Sequence, residues 1–138
     1  MSDTSELRIS RRELLTSIFG EWPSFHDAEV LKVVLDRKGC ELLASIYVFR
    51  MTSEVDTNGY YVLDNKVVAT IRFTGIAQLE LRYFNHQNVL FDLGIRDVSA
   101  EQDDGLNFEV EFNTSFGMEA NFRCAEIEVV SVVPYNKA

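Results

Sequence analysis

His26 and Asp27 stand side by side in Trp22-Pro23-Ser24-Phe25-His26-Asp27-Ala28-Glu29-Val30, a stretch that also holds the only tryptophan of the chain and one of its two histidines. A histidine beside a carboxylate can be tuned to exchange protons near neutral pH, so acid–base work is the first chemistry these residues suggest. An enzyme built on the pair would need both side chains in one cleft with a third polar group near them, yet neighbours on a strand point to opposite faces. The architectural reading is simpler. Trp22 and Phe25 anchor a helix-to-strand turn, Pro23 fixes its geometry, and His26 or Asp27 bonds exposed main-chain N–H groups. A structural role is therefore the expected one for Trp22, Pro23, Phe25, His26 and Asp27.

Other chemistries have less to work with. Zinc needs three or four ligands, and the two histidines lie far apart with no HxH, HExxH or CxxC spacing. Asp103-Asp104-Gly105 lacks the alternating acids and distal glutamate of a calcium loop and reads as a solvated turn. There is no GxSxG elbow, and the seven glycines are scattered singly, so no loop is built to cradle phosphate. Cys40 and Cys124 are distant and are expected to be free, buried and inert. No metal, no cofactor and a binding protein rather than an enzyme are the expectations.

Composition narrows the partners. With 138 residues, 46% of them hydrophobic and ten of them Phe, residues 1–138 are expected to form a single domain. No window approaches the roughly 18 apolar residues of a membrane span, and Met1–Glu6 has neither a basic nor an apolar leader segment, so a cytoplasmic location is expected. The net charge of −9 is uneven: residues 1–86 carry 12 acids and 10 bases (net −2), residues 87–138 carry 10 acids and 3 bases (net −7). Such a field repels nucleic acid and anionic membrane and draws in a basic partner.

The elements that must position these residues follow from local pattern. Ser10-Arg11-Arg12-Glu13 reads as a capping box that starts a helix with the apolar stripe Leu14, Leu15, Ile18, Phe19 and a left-handed stop at Gly20. The rest reads as β. Ala28–Arg37 and Glu41–Met51 flank a turn and have apolar residues on both parities, as for central strands covered on both faces. Thr52–Gly59 reads as a long polar loop. From Val67 to Tyr83 the odd positions are apolar, a run of roughly 55 Å if straight, so Gly75 should mark a bend. Val89, Phe91, Leu93 and Ile95 continue the odd parity. Leu106, Phe108, Val110 and Phe112 alternate with Asn107, Glu109, Glu111 and Asn113, and a hairpin at Ser115-Phe116-Gly117 follows. Met118, Ala120, Phe122 and Cys124 then give way to Ile127 and Val129, so a bulge near Cys124-Ala125 is expected before Pro134 closes the sheet. The expected class is α+β: an N-terminal helix packed on one strongly bent, mainly antiparallel β-sheet of about six to eight strands, able to curl toward a half-barrel.

The stretch from Phe19 to Val30, followed by a strand ending Leu35-Asp36-Arg37, resembles immunity protein 50, a bacterial family whose members neutralise a toxin made by the same or a sibling cell. The resemblance implies a small intracellular α+β protein that binds and blocks a cognate toxin, with no catalytic residues to carry over. Specificity in such proteins belongs on charged surfaces and loops. The acidic residues Asp103, Asp104, Glu109, Glu111, Glu119, Glu126 and Glu128, which could occupy a basic toxin cleft, are therefore partner-contact candidates, with Tyr60 and Tyr61 as aromatic anchors. Two other readings stand beside this one: a small β module holding an apolar ligand among Phe73, Leu79, Phe91 and Phe108, or a hydrolase using His26 and Asp27.

Overall fold

The computed structural model describes residues 8–101 and 103–135; Met1–Glu6, Gln102 and Lys137, which all enter the sequence reading, lie outside the described residues. Its elements are β1 (Ile9–Ser10), α1 (Glu13–Phe19), β2 (Glu29–Asp36), β3 (Glu41–Val55), β4 (Tyr61–Thr74), β5 (Ala77–Arg82), β6 (Val89–Asp97), β7 (Phe108–Phe116), β8 (Glu119–Cys124) and β9 (Glu126–Pro134). The strands form one sheet in the order β1-β9-β4-β3-β2-β6-β7-β8-β5. The protein is thus mostly β with a single short helix among the described residues, and its nine strands exceed the six to eight expected. Every ladder is antiparallel except the two-residue pairing of β1 with β9.

The long alternation through Gly75 does break where a bend was expected. Gly75 takes φ +68, its N–H donates to the Cys40 carbonyl at 2.9 Å, and the Ala125 N–H donates to Thr74 O at 2.9 Å. The break between β4 and β5 therefore sits against the parity switch between β8 and β9, and two paired strands turn one corner together. Inside that bend, the inward residues of β4, β7 and β8 meet. The Phe73 ring lies 6.0 Å from Phe112 and 5.2 Å from Phe122, edge to face, and all three are buried.

Several expectations are corrected. Ser10 belongs to β1; Arg12 is the N-cap, with no side-chain cap bond, so the helix starts two residues later than the capping box implied. Strand pairing to Glu128 has taken the Ser10 backbone that a cap would need. Gly20 at φ +80 is the stop, as the pattern indicated. Leu15 is fully buried, whereas Ile18 is 36% exposed. Half of Thr52–Gly59 is not loop: β3 runs to Val55 and turns at Asp56–Tyr60, where Asp56 Oδ1 accepts the Asn58 and Tyr60 N–H groups at 2.8 and 3.0 Å. Bulges in the β6–β7 ladder on either side of Leu90 exchange the burial of neighbours, so Leu90 is buried and Phe91 is 56% exposed. Tyr83, placed on the core side by alternation, has φ +62 and lies 70% exposed. Nor is β2 covered on both faces, because Leu31, Lys32, Val34, Leu35 and Asp36 are exposed.

Both cysteines are free, but only Cys124 is buried. Burial pushes its thiol up to about 12, so it stays neutral at any physiological pH. Cys40 is exposed at the β2–β3 turn and its Sγ–H donates to Ile76 O at 3.3 Å. Alkylation of the folded protein at pH 8, read by intact mass, should label Cys40 alone, with the second adduct appearing only in denaturant.

Candidate functional site

The motif folds as a strained turn. Trp22 is half-buried, Pro23, Phe25 and Ala28 are buried, and Glu21, Ser24 and His26 face solvent. Phe25 and Asp27 have φ +61 and +65, a left-handed conformation that costs a bulky residue on the order of 1–3 kcal/mol. The surroundings hold them there. The Phe25 ring packs 5.6 Å from Trp22, the Ala28 N–H donates to Phe25 O at 3.1 Å, and the Asp27 N–H donates to Leu90 O at 2.9 Å. Packed in this way, the segment docks the start of β2 onto β6.

His26 is fixed by the same strand. Its Nδ1 lies 3.0 Å from the Phe91 carbonyl, an acceptor, so Nδ1 carries the hydrogen; the ring stands edge-on to Phe91 at 5.5 Å. Nε2 is left facing Asp27 Oδ2 at 3.6 Å. The left-handed backbone at Asp27 thus overrides the alternation that would have separated these neighbours. Both line a hollow of about 310 Å³ with Phe19, Glu21, Pro23, Ser24, Phe49 and Arg50. The serine hydroxyl there accepts the His26 main-chain N–H at 3.2 Å, and Arg50 is held by Asp64 in a two-pronged bond at 2.9 and 2.7 Å. Ser24, His26 and Arg50 are thus engaged in turn and cross-strand bonding. Among the described residues no three His, Cys, Asp or Glu side chains group as metal ligands.

The acidic candidates do not form one cluster. Glu109, Glu111 and Glu119 project outward from β7 and β8, where a hollow of about 440 Å³ is lined by Gln78, Glu80, Glu109, Glu111, Asn121 and Arg123 among others. Glu126 and Glu128 lie past the Ala125 corner on β9, and Glu128 accepts from Arg72 at 3.0 Å. Asp103 is exposed in the turn, while Asp104 grips Arg123 at 2.8 and 3.0 Å. That bond and the Leu106 N–H hold the Asp104 carboxyl below its usual value. A lowered carboxylate adds stability above its unfolded pKa, and this is lost as pH falls through the folded one. On the outer face of β6-β7-β8-β5, Arg96 pairs with Glu109 and Glu101, and Arg82 with Glu80. Glu111 and Glu119 remain outside these ion pairs.

Tyr60 and Tyr61 are 70% and 58% exposed at the tip of the β3–β4 hairpin, in the other half of the sheet. Exposed aromatics also gather at one end of β5-β6-β7-β8: Tyr83 and Phe84 after β5, Phe91 near the start of β6, and Phe116 at the end of β7. The ligand readings do not survive for the residues proposed, since Phe73 and Phe108 are packed in the core and Phe91 is outside it.

Sequence reasoning passed over Asn88, the only buried polar side chain among the described residues. Its Oδ1 accepts the Asn85 and Met118 N–H groups at 2.9 and 3.0 Å and its Nδ2 donates to Asn85 O at 2.9 Å, which ties the β5–β6 loop to the β7–β8 hairpin. The signal was an Asn immediately before a strand, a residue type that completes turns by bonding nearby backbone.

No curated protein matches the chain. The family model for immunity protein 50 matches residues 11–135, which takes in the strained motif, the bent sheet and the acidic strands alike. This protein belongs to the immunity protein 50 family.

Proposed function

We propose that the protein neutralises a cognate toxin by stoichiometric binding in the cytoplasm, without chemistry of its own, and that it presents the outer face of β6-β7-β8-β5 to a basic surface of that toxin. Family membership across residues 11–135 supports the reading as an immunity protein. For the second part, the support is that Glu111 and Glu119 of that face stand outside its local ion pairs, with exposed aromatics at its end. Carboxylates would steer the encounter, and Phe84 and Phe116 would add contact area at low entropic cost.

Once the cognate toxin is identified, an inactivated form of it serves the test, in binding kinetics at low and high salt. Wild type should associate at least about tenfold more slowly in high salt. Glu111→Lys with Glu119→Lys should lower the on-rate and flatten the salt dependence while folding normally, because surface carboxylates outside ion pairs contribute little to stability. These positions test the face better than Glu109, whose reversal would set a lysine beside Arg96. Salt-independent association unmoved by the reversals would place the interface elsewhere, on the Tyr60–Tyr61 hairpin.

A further inference from the structure

β2 is bordered by β3 from Glu29 to Asp36, but on its other side only Glu29 pairs, with Val89 of β6. The last main-chain bond of that contact runs from the Val30 N–H to Asn88 O at 2.8 Å. Beyond it the two strands part, and on that side Leu31–Asp36 has no strand paired with it among the described residues. Folded proteins usually blunt such an edge, because its unpaired N–H and C=O groups are a template for another strand. This edge is apolar instead: Leu31, Val34 and Leu35 are 42%, 39% and 55% exposed.

We infer that a second copy of this chain pairs with the free edge of β2, antiparallel and two-fold, extending the sheet from one protomer into the other. The charges on the edge select the register. A two-fold axis normal to the sheet keeps outward faces outward, so Lys32, Val34 and Asp36 can oppose only one another or other outward residues. With Lys32 on the axis the two lysines collide; with Leu35 there, Lys32 meets Lys38; with Val33 there, Lys32 meets Val34. With Val34 on the axis, Lys32 of each copy meets Asp36 of the other, and Val33 meets Leu35 on the opposite face. That register alone among these cancels charge. Asp36 is already oriented at the end of the strand, where its Oδ1 accepts the Lys38 N–H at 2.9 Å. A ribbon this short buries far less than the roughly 1,600 Å² of a standard interface, so the dimer is weak, with a dissociation constant on the order of 100 µM.

Sedimentation equilibrium of the chain alone, from about 10 µM to about 1 mM, reads the outcome independently of any toxin. Wild type should pass from monomer to dimer in that range. Lys32→Asp and Asp36→Lys should each weaken self-association at least about tenfold, since like charges then face each other twice across the axis. An equimolar mixture of these two variants restores both opposite-charge pairs and should dimerise as wild type does. Urea unfolding of each variant checks that the edge change leaves the fold intact. A wild type that stays monomeric at every concentration overturns the inference. So does a dimer indifferent to the single reversals, or a mixture that fails to associate.

Discussion

Gly117→Ala should lower stability by about 3 kcal/mol or more, although it adds a single methyl group. Gly117 has φ +86, and a Cβ there would lie 2.4 Å from Gln87 O and 2.8 Å from Asn88 Oδ1. Neither atom is the end of a flexible chain: one is backbone, and the other is the oxygen that accepts from Asn85 and Met118. To admit the methyl group, the β7–β8 hairpin must lift from the 85–88 loop and abandon those bonds. Asn88→Ala approaches the same junction from the other side, leaving two N–H groups without their acceptor at about 1–3 kcal/mol each. Urea denaturation should show both losses as a lower midpoint at unchanged slope. The two costs should not add in the double variant, because both act through one contact. Full additivity would show that the loop and the hairpin are held separately.

Phe73→Ala should cost about 3–5 kcal/mol, the range for removing a fully buried aromatic ring. Phe73 is 0% exposed and stands between Phe112 and Phe122, on the last turn of β4 before the corner. Its aromatic neighbours are themselves buried, so moving them to refill the space would open room elsewhere. Trp22→Ala, at a half-buried position on the rim of the core, should cost less despite removing a larger side chain. The reverse order in urea unfolding would move the centre of the core from the strand corner to the helix.

Where a side chain repeats every second position against a buried face, the sequence pattern carried directly into structure. Val67, Ala69, Ile71 and Phe73 are buried, as are Phe108, Val110 and Phe112. Gly75 and Ala125 lie at a corner because only a residue free of steric limits, or a break in parity, can interrupt such a run. The failures share a different cause. Left-handed backbone at Phe25, Asp27 and Tyr83, and the irregular ladder around Leu90, change which way a side chain points without altering composition. Periodicity is blind to such changes; at Asp27 the backbone is held by a long-range bond, from its N–H to Leu90 O. The motif was legible as an anchor through Trp22, Pro23 and Phe25. That it would also bring His26 and Asp27 into one hollow was not.

The place of β9 between β1 and β4 has a consequence for synthesis. β4 is complete at Thr74, yet the strand that covers its second edge ends only at Pro134. A ribosome adding roughly 5–20 residues per second leaves that edge open for about 3–12 s while the intervening chain is made. Through this interval Val67, Ala69, Ile71 and Phe73 form half of a ribbon without its other half. The nascent chain is then at its most vulnerable to mispairing, and a holdase that shields β4 should raise yield more than one acting on the finished chain.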